Sequence, residues 1–110
     1  MTMVRVKLSP SDAANILKAY VIRSGLSNEK TGSHYSRSSD GREAIMMVFE
    51  KYYIRNSSRA SLSVMIDDLQ GFTSVYAIGS GGGQNVLFKF DWGASDNFER
   101  LVEKALEDYR

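Results

Sequence analysis

The feature that most constrains the fold is an alternation of apolar and polar residues in the middle of the chain. Between residues 59 and 67 every even position is apolar, and most odd positions are polar. Successive side chains of a β-strand point to opposite faces of its sheet, so this period of two predicts a strand with one buried face. Whatever fold the chain adopts must therefore contain a sheet that is covered on one side.

Similar segments on both sides extend this strand into an antiparallel meander. The predicted strands are residues 33–38, 43–55, 59–67 and 72–78, and an N-terminal strand covers residues 3–8. Asp40-Gly41 is a strong hairpin signal between the first two strands of the meander. Residues 86–90 fit either a short further strand or an irregular return segment.

Two amphipathic helices flank the meander. Ser9 can cap the first helix, Pro10 suits its first turn, and an apolar stripe follows at helical spacing. Ser95 can cap the second helix, whose apolar residues from Phe98 to Tyr109 form one stripe.

These elements predict one α+β domain over residues 1–110, in the order β-α-β-β-β-β-α. We expect a curved antiparallel sheet with both helices on one face, because both apolar stripes must be buried. The element order is similar to the TATA-box-binding-protein-like and helix-grip folds. This resemblance implies an architecture and no function.

Composition excludes several classes of function. Fourteen basic and 13 acidic residues give a net charge of +1, whereas dedicated nucleic-acid binders carry a basic excess. The chain has no cysteine and one histidine, which excludes thiolate and multi-histidine metal sites. We therefore expect no metal and no cofactor. No apolar run is long enough for a membrane span, and the first residues do not resemble a signal peptide, so we expect a cytoplasmic protein.

The strand register decides which side chains face away from the helices. We expect the even-numbered residues of strand 43–55 to be buried together with those of strand 59–67. The resulting cross-strand pairs are Ile54 with Ala60, Phe49 with Met65, Ile66 with Phe72, and Tyr35 with Met46.

In this register the uncovered face of the sheet carries an apolar patch. Its predicted interface residues are Met47, Phe49, Tyr53, Met65 and Val75. A contiguous apolar patch on a water-facing sheet is typical of an interface or a ligand groove, so we expect a homodimer. Alternatively, residues 86–88 fold over this face within one chain.

Three basic residues form a candidate anion site on the same face. They are Lys51, Arg55 and Arg59, with Arg55 predicted to lie opposite Arg59. Like charges directly opposite each other are unfavourable, and a bound anion would relieve the repulsion. Solvated charges at the end of a hairpin are the alternative.

A small-molecule site forms a second hypothesis. Glu50 is predicted on the buried face, where a carboxylate needs a partner or a raised pKa, although a salt bridge would also account for it. Its proposed companions in ligand binding are Gly81, Gly82, Gly83 and Trp92. The glycines match neither a dinucleotide fingerprint nor a P-loop, because the residues after them look extended. No residue is assigned a catalytic role.

Three stretches carry a resemblance to a known family. The runs FEKYYIRNSSRASLSV (49–64), GSGGGQ (79–84) and FDWGASDNF (90–98) resemble a small family of bacterial proteins known as a domain of unknown function. The resemblance implies a bacterial cytoplasmic protein and assigns no functional residue.

Two functional hypotheses follow. The first is a non-enzymatic binding or interaction module that self-associates through the uncovered sheet face. The second is a small-molecule-binding protein or enzyme with a pocket between sheet and helices, near Glu50 and the glycine-rich loop. We expect no membrane partner and no nucleic-acid partner.

Overall fold

In the part of the chain that the structure describes, the backbone forms an open five-stranded sheet with helices packed on it. The computed structural model describes residues 2–23, 30–53, 58–81 and 100–110. Its elements are β1 (Thr2–Val6), α1 (Pro10–Arg23), β2 (Lys30–Arg37), β3 (Glu43–Tyr53), β4 (Ser58–Asp67) and β5 (Thr73–Gly81), followed by α2 (residues 100–106) and a 3-10 turn (Glu107–Tyr109). The predicted α+β class and element order are confirmed.

The sheet is antiparallel throughout, with the strand order β1-β5-β4-β3-β2. Strands β2 to β5 form the predicted meander. β1 pairs with β5, so the first strand of the chain lies beside the last described one, at the sheet edge opposite β2. The segment after β1 contacts the 3-10 turn, where the Lys7 N–H donates to the Tyr109 carbonyl at 2.7 Å.

Helix α1 begins where its sequence predicts. The Ser9 hydroxyl accepts a hydrogen bond from the Asp12 N–H at 3.2 Å, which satisfies one of the free donors of the first turn. Pro10 occupies the first helical position, where its missing N–H has no cost. The apolar stripe of α1 contributes Ala13, Leu17 and Val21 to the core.

The core lies between the helices and one face of the sheet. The strands contribute the side chains that project to this face, and α2 contributes Val102, Ala105 and Leu106. Among the described residues, Phe49 of β3 is the largest fully buried side chain. All buried apolar residues of the described chain form one cluster, so both helices cover the same face of the sheet, as predicted.

The strand registers differ from the predicted ones. Phe49 lies opposite Leu62, three positions before the predicted partner Met65. Ile66 lies opposite Val75 and not Phe72. A shift by an odd number of residues exchanges the two faces of a strand, so β3 buries its odd-numbered residues where the even-numbered ones were predicted.

The register of the β2–β3 hairpin also differs from the predicted one, here by a single residue. Its loop holds three residues, closed by the Ser38 N–H donating to the Arg42 carbonyl at 2.8 Å. Gly41 has a φ of 89°, the left-handed conformation that a three-residue loop requires. The predicted pairing of Tyr35 with Met46 assumes that Asp40 and Gly41 alone form the loop. The third loop residue shifts the register by one position, and His34 is the partner of Met46.

Within this hairpin loop Asp40 makes three polar contacts. Its carboxylate accepts hydrogen bonds from the Ser38 hydroxyl and from the Arg42 N–H at 3.4 Å, and it forms a salt bridge with the Arg42 side chain at 3.3 Å. The hydrogen bond from Ser38 is the main reason why the pKa of Asp40 is lowered.

Candidate interaction surface

One row of side chains crosses the face of the sheet that points away from the helices, which we call the open face. Met3 of β1 lies opposite Tyr76 of β5, Tyr76 opposite Met65 of β4, and Met65 opposite Met46 of β3. These four residues, the methionine row, occupy matching positions on four neighbouring strands. His34 of β2 continues the row to the far edge of the sheet.

The side chains of the methionine row are exposed. The exposed fraction is 54% for Met3, 45% for Met65 and 53% for Met46, and Tyr76 is half-buried. Ile78, on the next row, is 51% exposed and lies opposite Ser63, which in turn lies opposite half-buried Val48. A sheet face that is fully solvated carries mainly polar residues, so this arrangement is typical of a contact surface.

The row and its neighbours line a shallow groove of about 450 Å³. Its lining residues are Met46, Ser63, Val64, Met65, Asp67, Tyr76 and Ile78. Asp67 is buried, and its carboxylate accepts a hydrogen bond from the Leu69 N–H at 3.2 Å. The one carboxylate of the groove is therefore engaged within the chain, and the exposed part of the lining is mainly apolar.

Three of the predicted interface residues lie elsewhere. Met47, Phe49 and Val75 are 3%, 0% and 0% exposed and belong to the core beneath the helices, so their placement on the open face was wrong. The cause is the register, which turns the odd-numbered residues of β3 inwards. Met65 does lie on the open face, and the side chain of Tyr53 is outside the described part of the structure.

Sequence reasoning missed most of the exposed apolar residues. The sequence predicts Met46 on the covered face and assigns no interface role to Met3, Tyr76 or Ile78, although these four residues form most of the surface. Residues 45–49 are apolar without interruption, so alternation could not indicate which of them face inwards. The one signal in this stretch of sequence is the size of Phe49. The bulkiest of the five side chains favours the buried face, which would place Met46 on the open face.

Glu50 also lies on the face opposite to the predicted one. It pairs with Ser61, is half-buried, and projects from β3 to the open side, whereas its neighbour Phe49 projects to the helices. The prediction that placed Glu50 in a pocket between sheet and helices was therefore wrong. Gly81 ends β5, and Gly82, Gly83 and Trp92 lie outside the described residues, as do residues 86–90.

The predicted anion site is described only through its backbone. Arg59 pairs with Tyr52, and Lys51 pairs with Ala60, so the expected pairing of Arg59 with Arg55 is wrong. Arg55 and the side chains of Lys51 and Arg59 lie outside the described part.

A separate polar cluster ties α1 to the β2–β3 hairpin. The Glu43 carboxylate accepts hydrogen bonds from the Ser11 hydroxyl at 3.0 Å and from the Tyr35 hydroxyl at 2.5 Å. The Glu43 N–H donates to the Asp68 carboxylate at 2.8 Å. The hydrogen bond to Glu43 is the main cause of a raised pKa of Tyr35, with smaller contributions from desolvation and from the charge of Glu43. These contacts hold the helix against the sheet.

Two further observations bear on the kind of site. Among the described residues, no group of three or more His, Cys, Asp or Glu side chains could hold a metal ion. No helix in the described ranges has the length and apolar character needed to cross a bilayer.

These elements define an α+β protein with an open antiparallel sheet, helices on one face and an apolar strip on the other. A family model described as "Family of unknown function (DUF6054)" matches residues 1–110. The chain therefore belongs to this family, in agreement with the resemblance noted in its sequence. No curated protein and no solved structure matches the chain.

Proposed function

We propose that the protein is a non-enzymatic interaction module that forms a homodimer through the open face. The observation that carries this proposal is the methionine row, in which Met3, Met65 and Met46 are each about half exposed on neighbouring strands. Covering these side chains removes apolar surface from water, which favours association.

A second copy of the chain suits this surface because the row is uncharged. Two open faces that meet about a two-fold axis place the same patch on both sides, so any charge in the patch would face its own copy or a neighbour. The methionine row contains three methionines and one tyrosine, and it therefore brings no like charges together. Methionine and tyrosine are also enriched at the cores of protein interfaces.

The size of the face supports the same conclusion. The five strands hold between 5 and 11 residues, and at about 3.3 Å per residue and about 4.8 Å between strands they give a face of about 700 Å². A stable interface of standard size buries about 800 Å² on each partner, and accessible area exceeds the projected area of a face. The open face is thus comparable in size to one side of a standard interface, with the methionine row across it.

Methionine side chains make the surface adaptable. They are unbranched, have several rotatable bonds and fill irregular gaps, so two copies can pack without close shape complementarity in the free protein. The dimer is expected to exchange with monomer on dilution, because ordering these flexible side chains opposes association.

The alternative occupant of the open face is the chain's own segment 82–99, which lies outside the described residues. It contains the apolar residues Val86, Leu87 and Phe88. An intramolecular cover would leave the protein monomeric at all concentrations, and this difference provides the test.

Sedimentation velocity over a wide concentration range tests the proposal. The wild-type protein is expected to shift from monomer to dimer as its concentration rises. Met65→Glu places a charge in the centre of the methionine row and is expected to abolish the dimer, because two buried carboxylates would have to lose their hydration. Leu69→Glu is the matched control, since Leu69 is 50% exposed in the β4–β5 turn and outside the row.

The expected result is a loss of dimer in Met65→Glu and a retained dimer in Leu69→Glu. A wild-type protein that stays monomeric, or two variants that dissociate equally, would contradict the proposal. Circular dichroism of both variants shows whether they fold.

A bacterial, cytoplasmic setting, which the sequence resemblance implies, is part of the same proposal.

A further inference from the structure

A basic cleft lies at the end of the sheet where β1 leads into α1. Its lining residues are Arg5, Val6, Lys7, Leu8, Gly71, Phe72, Thr73 and Arg110, and its volume is about 580 Å³. Three of these residues are cationic and none is acidic. Clefts of this volume are in the range that holds small ligands.

The three cations of the cleft are not neutralised within the described chain. Arg5, Lys7 and Arg110 are exposed and form no salt bridge with any described residue. The nearest acidic residues in sequence to Arg110 are Glu107 and Asp108, which are exposed in the 3-10 turn and do not line the cleft. The cleft therefore concentrates positive charge in a chain whose net charge is only +1.

One of these cations packs against an aromatic ring. The guanidinium carbon of Arg5 lies 3.7 Å from the centre of the Phe72 ring, which is the geometry of a cation–π contact. A guanidinium that stacks by its face keeps its N–H groups free at its edge. Those N–H groups match the oxygens of a phosphate, which they can bind in a bidentate manner.

The backbone brings the C-terminal turn to the cleft. The Lys7 N–H donates to the Tyr109 carbonyl at 2.7 Å, so the segment after β1 is joined to this turn and Arg110 lines the same cleft as Lys7. Val6 is buried and Leu8 packs against the core, so the floor is apolar. A ligand with an anionic group and a small apolar part fits this combination.

We propose that this cleft binds the phosphate group of a small phosphorylated ligand, with Arg5, Lys7 and Arg110 as its cationic contacts. The cleft borders the methionine row, because Arg5 lies two residues after Met3 on the same face of β1, but none of its lining residues belongs to the row. A simple phosphate source and a nucleotide share this chemistry, so two probes are needed to distinguish them.

Isothermal titration calorimetry with inorganic pyrophosphate and with adenosine diphosphate, at about 50 mM salt, tests the proposal. Arg5→Gln and Lys7→Gln are each expected to weaken binding about tenfold, as the loss of one charge-assisted hydrogen bond implies. Phe72→Leu keeps an apolar side chain but removes the ring, and it is expected to weaken binding several-fold because Arg5 is no longer held. Lys18→Gln removes the same charge from an exposed position on α1 and serves as the control.

A stronger response to adenosine diphosphate than to pyrophosphate identifies a nucleotide as the favoured source, and equal responses identify the phosphate group alone. The proposal is overturned if neither anion binds, if Arg5→Gln binds like the wild type, or if Lys18→Gln weakens binding as much as Arg5→Gln does. Met65→Glu is expected to bind both anions as the wild type does, so failure of the dimer and failure of the anion site give different results.

Discussion

Met46 lies directly opposite Met65 in the β3–β4 ladder, on the open face, and about half of each side chain is exposed. Met47, the next residue along β3, is 3% exposed and belongs to the core. Two adjacent methionines thus have opposite environments, and the register of β3 against β4 decides which of them is available to a partner. The proposed function depends on this assignment.

The register predicts very different losses of stability when two apolar residues of β3, Phe49 and Met46, are truncated to alanine. Phe49→Ala removes a fully buried ring and is expected to lower the free energy of unfolding by about 3–5 kcal/mol. Met46→Ala is expected to change it by about 0.5 kcal/mol or less, as is usual for exposed positions. Urea denaturation measures both values.

These measurements belong in the Met65→Glu background, because dimer formation would otherwise stabilise the folded state in a concentration-dependent way. Equal losses for Phe49→Ala and Met46→Ala, or a larger loss for Met46→Ala, would show that the register is wrong.

Substitution of two glycines by alanine distinguishes the cost of a strained backbone conformation from the cost of a steric clash. Gly41 has a φ of 89°, and a Cβ added there would meet only the end of the Arg37 side chain at 3.8 Å, which is an ordinary contact. Gly41→Ala is therefore expected to cost about 1–2 kcal/mol through its left-handed conformation alone.

Gly32 is the matched control for Gly41. It lies in β2, and a Cβ there would have nothing within 4 Å. Gly32→Ala is expected to leave stability unchanged or to raise it by about 0.5 kcal/mol, since glycine weakens a strand. If Gly41→Ala proves as harmless as Gly32→Ala, the three-residue loop is not the one that forms.

The hydrogen bond from Tyr35 to Glu43 predicts a dependence of stability on alkaline pH. The pKa of Tyr35 is raised above its ordinary value of 10.0, chiefly because its hydroxyl donates to the Glu43 carboxylate. The folded state therefore binds this proton more tightly than the unfolded state does. The stabilisation is fully present below the ordinary pKa of tyrosine and is lost as the pH rises through the higher pKa of the folded state.

Glu43→Gln is expected to bring the pKa of Tyr35 down towards its ordinary value, because the neutral amide neither repels a tyrosinate nor accepts as strong a hydrogen bond. Ultraviolet titration of tyrosinate, with Tyr35→Phe subtracted to isolate one of the six tyrosines, measures the pKa. Glu103→Gln, an exposed change on α2, should leave it unaltered. An unchanged pKa in Glu43→Gln would rule out the hydrogen bond as its cause.

Local signals in the sequence predicted the elements well. Ser9 and Pro10 placed the start of α1, and the alternation of Leu62, Val64 and Ile66 identified the buried face of β4. Each of these signals acts over a few residues and depends on propensity, capping or period. The class and element order followed from them.

The pairing of strands could not be predicted in the same way. The register of β3 depends on contacts between distant segments, and the five apolar residues at 45–49 fit a strand in either orientation. Because one odd shift turns every side chain over, the open face does carry an apolar strip, but three of the five residues predicted for it, Met47, Phe49 and Val75, lie in the core. The basic cleft was missed altogether, since Arg5 and Phe72 are far apart in the sequence and are brought together by the pairing of β1 with β5.

Methyl NMR of methionine-labelled protein tests the central claim most directly. In a concentration series, the methyl resonances of Met3, Met46 and Met65 are expected to shift together with one dissociation constant, whereas that of Met47 stays in place. In dilute protein, a soluble paramagnetic agent should broaden the first three and spare Met47. The proposed interface would be contradicted if the chemical shifts of Met3, Met46 and Met65 did not change with concentration. It would also be contradicted if the Met46 methyl were protected from the paramagnetic agent in the dilute monomer.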